Sequence, residues 1–194
     1  MSTHRLTFPA GEDEIRALRA GDEVIVNGHV IGIRDRTQIR IFDHGQEPPI
    51  DLRGALLLHT APNARKLADG RYEKICIGTT TSARMVRFTE GLGATYGVRA
   101  ICGKGGLPDE AIEPMQRLGM VYLAIVGGAA ALETTQIEEI EEVGWEDLMP
   151  ECLWKFRVKD FGPLTVGIDS HGNSVYHDVQ EQARKRLEGI FARL

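Results

Sequence analysis

Arg34, the run Thr79-Thr80-Thr81-Ser82 with Arg84, and Lys104 inside Gly103-Lys104-Gly105-Gly106 are the residues of this chain best suited to chemistry. Guanidinium and ammonium groups hold carboxylates through charge-assisted hydrogen bonds, and a guanidinium can offer two parallel donors. Hydroxyls and loop N–H groups add neutral donors. Together these residue types point to a pocket for a small dicarboxylate. Ile75-Cys76-Ile77-Gly78 reads as a short buried strand, and Thr80 to Leu92 as a helix capped by a threonine. The unpaired N–H groups and positive dipole end of such a helix attract carboxylate or phosphate. Thr80 and Arg84, four residues apart, would share one face of it. An ordinary capped helix with an exposed arginine satisfies the same local pattern.

Ala100-Ile101-Cys102 is a second short apolar strand, and it leads directly into Lys104. Strand ends in α/β sheets are where ligands gather. The glycines after Lys104 let the backbone approach a bound group while the ammonium points at it. The loop lacks the preceding glycine spacing and the following Ser/Thr of a Walker loop, so a nucleotide is not the favoured ligand. A solvated loop lysine is the plain alternative.

The elements around these residues read as α/β with a mixed sheet. Glu12 to Leu18 suggests a short helix, and Asp22 to Arg34 reads as two strands turning at Asn27-Gly28. Ala55 to His59, Lys74 to Ile77, Arg99 to Cys102 and Val121 to Val126 are apolar runs between helical stretches, which favours a partly parallel sheet. Pro108 to Leu118 is expected to be helical despite Pro114. Leu153 to Val158 and Leu164 to Ile168 read as two further strands, followed by a turn at Ser170 to Asn173. Val179, Ala183, Leu187, Ile190 and Phe191 recur at helical spacing and predict a helix from Asp178 to Leu194 with one packed face. In the acidic run Glu138-Glu139-Ile140-Glu141-Glu142, apolar Ile137, Ile140 and Val143 recur every third residue, as on a helix with a solvated acidic face. Asp169, His171 and Asn173 read as turn formers. The domain organisation expected is an N-terminal extension with a helix over 1–20, a main domain over 21–176 and a closing helix over 177–194, all within one structural domain.

Composition excludes several classes of function. The 194 residues are 42% hydrophobic and 26% charged, an ordinary globular balance, and a net charge of −5 argues against a general nucleic-acid surface. No apolar run approaches the ~20 residues needed to span a bilayer, and Met1 to Gly11 lacks the apolar core of a signal peptide, so the expected compartment is the cytoplasm. Cys76, Cys102 and Cys152 are isolated from one another, and the six histidines show no paired metal-ligand spacing. No metal or cofactor is therefore expected on this chain.

Several stretches carry a family resemblance. Arg34-Asp35, the segment from Gly78 to Met85, Gly103 to Leu107, Thr135 to Trp145 and Phe161 to Asn173 resemble, in order, the β subunit of iron–sulfur class I hydro-lyases, the family of two-subunit fumarases and L-tartrate dehydratases. The chain departs from that pattern at two places. His59-Thr60-Ala61-Pro62 stands where related chains often show His-Ala-Gly-Pro, and Thr79 where they often show proline.

The resemblance implies a swivelling β/β/α domain that supplies carboxylate-binding and proton-transfer residues for reversible hydration of a C4 dicarboxylate, fumarate or malate. It implies Arg34, Thr80, Thr81, Arg84 and Lys104 as substrate-binding residues and Thr80 as the proton-transfer residue. It further implies a [4Fe-4S] cluster carried by a partner α subunit, in an αβ or α2β2 assembly. L-tartrate dehydratase, which makes oxaloacetate, is the alternative within the family. A non-catalytic anion-binding module and a free-standing enzyme such as an isomerase are alternatives outside it. A threonine hydroxyl is not ionised near neutral pH, so a base role requires activation by nearby cations.

Overall fold

Short runs that are apolar at every position form strands buried on both faces, and three such runs build the centre of the sheet. The computed structural model describes residues 1–191. In chain order it runs β1 (Thr3–Phe8), α1 (Glu12–Arg16), β2 (Glu23–Ile33), α2 (Asp35–Phe42), β3 (Leu56–His59), β4 (Asn63–Lys66), β5 (Tyr72–Cys76), α3 (Thr89–Tyr96), β6 (Ala100–Gly103), α4 (Ile112–Leu118), β7 (Val121–Ala124), β8 (Ile137–Gly144), β9 (Leu153–Ile168) and α5 (Val175–Phe191). Seven strands form one sheet in the order β1-β2-β3-β6-β7-β9-β8, and β1, β2, β3, β6 and β7 are parallel neighbours. The long β9 runs antiparallel to β7, β8 and also β2, so the mixed sheet curls into a partial barrel. Successive residues divide between two cores. Leu56, Leu58 and Cys102 face one cluster with Trp154 and Phe156, while Leu57 and Ile101 face another with Met115 and Leu92 of the helices. This parallel arrangement brings the C-terminal ends of β2, β3, β6 and β7 to one rim.

Four expectations from the sequence are corrected. Asn27-Gly28 is not a hairpin turn but lies inside the continuous strand β2. Gly28 sits at φ +86°, where an added β-carbon would collide with the Phe8 carbonyl, and the register against β9 slips on either side of Val26. A left-handed glycine at a bulge thus imitates a turn signal. Residues 74–77 do not join the main sheet: β5 pairs with β4 in a separate two-stranded ribbon, and Ile75 is exposed. The acidic run is strand β8, not a helix. Its register against β9 slips twice, between Ile137 and Glu139 and between Ile140 and Glu142, and each slip turns a period of two into a spacing of three. The two expected strands after Leu153 are one, β9, which passes through Asp160 at φ +49° and Gly162 at φ +128°.

Other expectations take the form foreseen. Pro114 lies in the first turn of α4, where its missing N–H is not needed. In the turn after β9, Asp169 accepts hydrogen bonds from the backbone N–H groups of His171 (2.9 Å) and Asn173 (3.0 Å). Helix α5 forms, but its apolar face is not packed on this chain. Tyr176 in its first turn joins the core, whereas Val179, Leu187, Ile190 and Phe191 are exposed. Residues 192–194 of the expected helix lie outside the described residues. No helix among the described residues is long and apolar enough to cross a membrane.

Candidate carboxylate site

Three of the parallel strands each deliver one residue to the rim. Strand β2 leads into Arg34, which stands immediately before α2, β3 ends at His59, and β6 leads into Lys104. The threonine segment joins them differently from the expected helix start. The Thr80 N–H donates to the His59 carbonyl (2.8 Å), the Lys104 N–H to the Thr80 carbonyl (3.2 Å), and the Ser82 N–H to the Lys104 carbonyl (3.0 Å). Thr79 bridges to Thr60, and Thr81 bridges to Lys104. Residues 79–81 are therefore extended chain stitched between the ends of β3 and β6, and the helical turns begin only at Ala83. Thr80 caps no helix and shares no helix face with Arg84. Consecutive β-branched residues favour extended backbone, and partners were available on both sides.

All five candidate residues nevertheless converge at this rim. Arg84 gives Asp35 two hydrogen bonds, from Nε to Oδ1 and from Nη2 to Oδ2, each 2.8 Å, and a third from Nη1 to the Thr81 carbonyl (3.2 Å). Arg34 Nε reaches the same Asp35 carboxylate at 3.2 Å and lies 4.0 Å from Glu151. Burial alone would raise the Asp35 carboxyl, but the hydrogen bonds and charge of Arg84 outweigh it and hold it below the usual carboxylate range. Lys104 has no ion-pair partner among the described residues, and its stem passes Gly127, where an added β-carbon would stand 3.7 Å from Cδ. Thr80 is buried, yet its hydroxyl makes no hydrogen bond to a described residue. Thr81 is exposed beside Lys104. The rim thus holds three cations, two carboxylates and two hydroxyls, those of Thr80 and Thr81, that make no hydrogen bond to a described residue.

Beneath the rim lies a buried polar chain that the sequence did not signal. His59 Nδ1 is 2.9 Å from Ser82 Oγ, and the Tyr122 hydroxyl donates to the same oxygen at 3.1 Å. Gly103 must be a glycine here, because a β-carbon would collide with Ser82 Oγ. Burial pushes the His59 imidazole down to about 3, so the ring is neutral, and its Nε2 is buried without a partner. The three residues are 23 and 40 positions apart along the chain, a separation at which no local pattern can announce them.

The two departures from the family pattern meet in space. Thr60 and Thr79 pair across an isolated antiparallel bridge. Each hydroxyl donates to a carbonyl, Thr60 to Ile77 and Thr79 to Val126 (3.3 Å). Both hydroxyls are thus taken up by backbone carbonyls of neighbouring segments.

The geometry defines a class of protein: an α/β domain with a cationic rim at the open ends of its parallel strands. The chain belongs to the family described as Fumarase C-terminus, which matches residues 3–179. It is 37% identical over 186 residues to the L(+)-tartrate dehydratase subunit beta of Escherichia coli (strain K12), covering 95% of this chain and 92% of that one. It is 35% identical over 182 residues to a Methanocaldococcus jannaschii chain provisionally named as the same subunit, covering 91% and 93%. A Geobacillus stearothermophilus protein provisionally named class I fumarate hydratase is 36% identical over 183 residues, which are 94% of this chain and 35% of that longer one.

Proposed function

We propose that this chain is the β subunit of an iron–sulfur hydro-lyase that adds water to, or removes it from, a C4 dicarboxylate. The observation that carries the reading is that Arg34, Arg84 and Lys104 gather at the same rim as Thr80, whose buried hydroxyl has no partner among the described residues. Arg84 and Lys104, with Arg34 beside them, bind the two carboxylates and offset the charge that builds on the carboxylate next to the carbon losing its proton. Thr80 exchanges that proton, its hydroxyl acidified by the adjacent cations. Thr81 adds a neutral contact at the edge.

Among the described residues no group of His, Cys, Asp and Glu could hold a metal ion, and the three cysteines are free and apart. This donor set supports placing the [4Fe-4S] cluster on a partner α subunit, where it would supply the Lewis acid for the departing hydroxyl oxygen. The longer Geobacillus chain, of which this one spans 35%, supports a partner that carries the remainder of the enzyme. Free thiols fit a reducing compartment, the cytoplasm. Fumarate and malate are the first substrate reading. L-tartrate is the second, favoured by the names of the relatives that match end to end.

The test is to produce the chain with its partner subunit under anaerobic conditions and assay malate, fumarate and both tartrate enantiomers. Turnover of one C4 hydroxy acid is expected. Activity of this chain without a partner, or no turnover of any of the four by the assembled pair, overturns the reading.

A further inference from the structure

How Arg84 is held decides what it can bind. A guanidinium has five coplanar N–H groups: one on Nε and two on each Nη. Asp35 occupies the side fork of Nε and Nη2, and the Thr81 carbonyl takes one N–H of Nη1. One N–H on each Nη is left over. Arg84 lies on an exposed turn, and an arginine side chain free to rotate would lose rotamer freedom on binding.

Asp35 is itself fixed. It is the first residue of α2, it also accepts from Arg34 Nε at 3.2 Å, and the backbone N–H of the next residue, Arg36, is held by Glu151 at 3.0 Å. We propose that Asp35 is a positioning residue: it clamps the side fork of Arg84 so that the outward pair of N–H groups meets a substrate carboxylate end-on. The inference rests on the reading of Arg84 as a carboxylate binder. It opposes the other role the same contacts allow, in which Asp35 occupies the substrate's place and must be displaced.

Steady-state kinetics of the assembled enzyme on its dicarboxylate, with variants Asp35→Asn, Arg84→Met and the double variant, separate these roles. A positioning role predicts that Asp35→Asn raises KM roughly tenfold with a smaller change in kcat, the scale of one weakened charged hydrogen bond. It also predicts that Asp35→Asn adds less than about twofold once Arg84 is Met, since the two act as one unit. Asp35→Glu keeps the charge and the helix start but moves the carboxylate outward by one methylene, and it should raise KM in the same direction. A fall in KM on Asp35→Asn would show a competing occupant. Effects that multiply in the double variant would show a role through the fold alone. If Arg84→Met raises KM while both Asp35 variants leave it unchanged, only this inference falls. If Arg84→Met is also silent, the underlying reading of Arg84 falls with it.

Discussion

At the N-terminal ends of the parallel strands, Arg99 gives one N–H group to the Leu118 carbonyl (2.5 Å) and another to Glu12 (2.8 Å). At the C-terminal ends, Lys104 has no such partner, while Arg84 and Arg34 share the carboxylate of Asp35 and Arg34 lies 4.0 Å from Glu151. The difference lies in which backbone groups each end offers. Leu118 closes α4, so its carbonyl lacks a helical partner and stands at the negative end of the dipole, where a cation is satisfied by the fold itself. The C-terminal rim offers the start of α2 and extended chain, so its cations still call for an anion. Cavity size points the other way: a hollow of about 470 Å³, lined by Arg53, Arg99 and Tyr96, lies at the N-terminal end. Under the proposed function, it is charge balance and not volume that marks the site.

Thr80→Ala is expected to lower turnover of the assembled enzyme by about 10²-fold or more, the usual scale for a positioned proton-transfer group. Because Thr80 caps no helix, stability should barely change. Exchange of the substrate C–H proton with solvent deuterium at the wild-type rate in this variant would remove Thr80 from proton transfer. Next in size, Arg84→Met and Lys104→Met should each lower kcat/KM by roughly 10- to 100-fold with the fold intact, since each removes a charge-assisted carboxylate contact. Arg99→Met should do the reverse, costing about 1–2 kcal/mol of stability with unchanged kinetics. Kinetic loss in Arg99→Met comparable to that in Arg84→Met would erase the distinction between the two ends.

The unfolded chain protonates His59 below about pH 6.5, whereas the folded chain resists until about 3. The unfolded state therefore binds the extra proton in that window, and stability falls as pH falls, by at most ~1.4 kcal/mol per pH unit. Carboxyls held low in the fold, such as Asp35 and Asp169, add their loss only below about 3.9. Chemical denaturation at pH 7 and pH 5 should show the decline, and His59→Gln should flatten it. An equal slope in the variant would mean that His59 is not the group responsible.

How much of this was legible depended on where the partners of each segment lay. Leu56-Leu57-Leu58 and Ala100-Ile101-Cys102 announced themselves because burial on both faces leaves a run apolar at every position. β8 was misread because two bulges reset its alternation, and β9 because Asp160 and Gly162 punctuate a strand that continues through them. The candidate residues Arg34, Thr80, Thr81, Arg84 and Lys104, picked out by type, share one rim. Their backbone was not legible, because Thr80 and Thr81 take partners from His59 and Lys104, more than twenty residues away on either side. Asp35 and the His59-Ser82-Tyr122 chain escaped for the same reason, as their roles exist only in three dimensions.

On the outer face of β8, Arg157 meets Glu139 at 2.6 Å, Glu141 at 3.1 Å and Glu138 at 3.2 Å, and Glu141 also meets His29 at 3.0 Å. This is the densest ion-pair cluster among the described residues, yet it is open to water, where Coulomb attraction is screened and ordering long side chains offsets most of the gain. Arg157→Met should therefore lower the thermal midpoint by no more than ~3 °C, and that small difference should vanish in 1 M salt. Kinetics should stay at the wild-type level, because no ion pair of the cluster includes a rim residue. A KM change in Arg157→Met comparable to that of Lys104→Met would show that the rim draws on the charge of the whole surface and not on the local balance around Asp35.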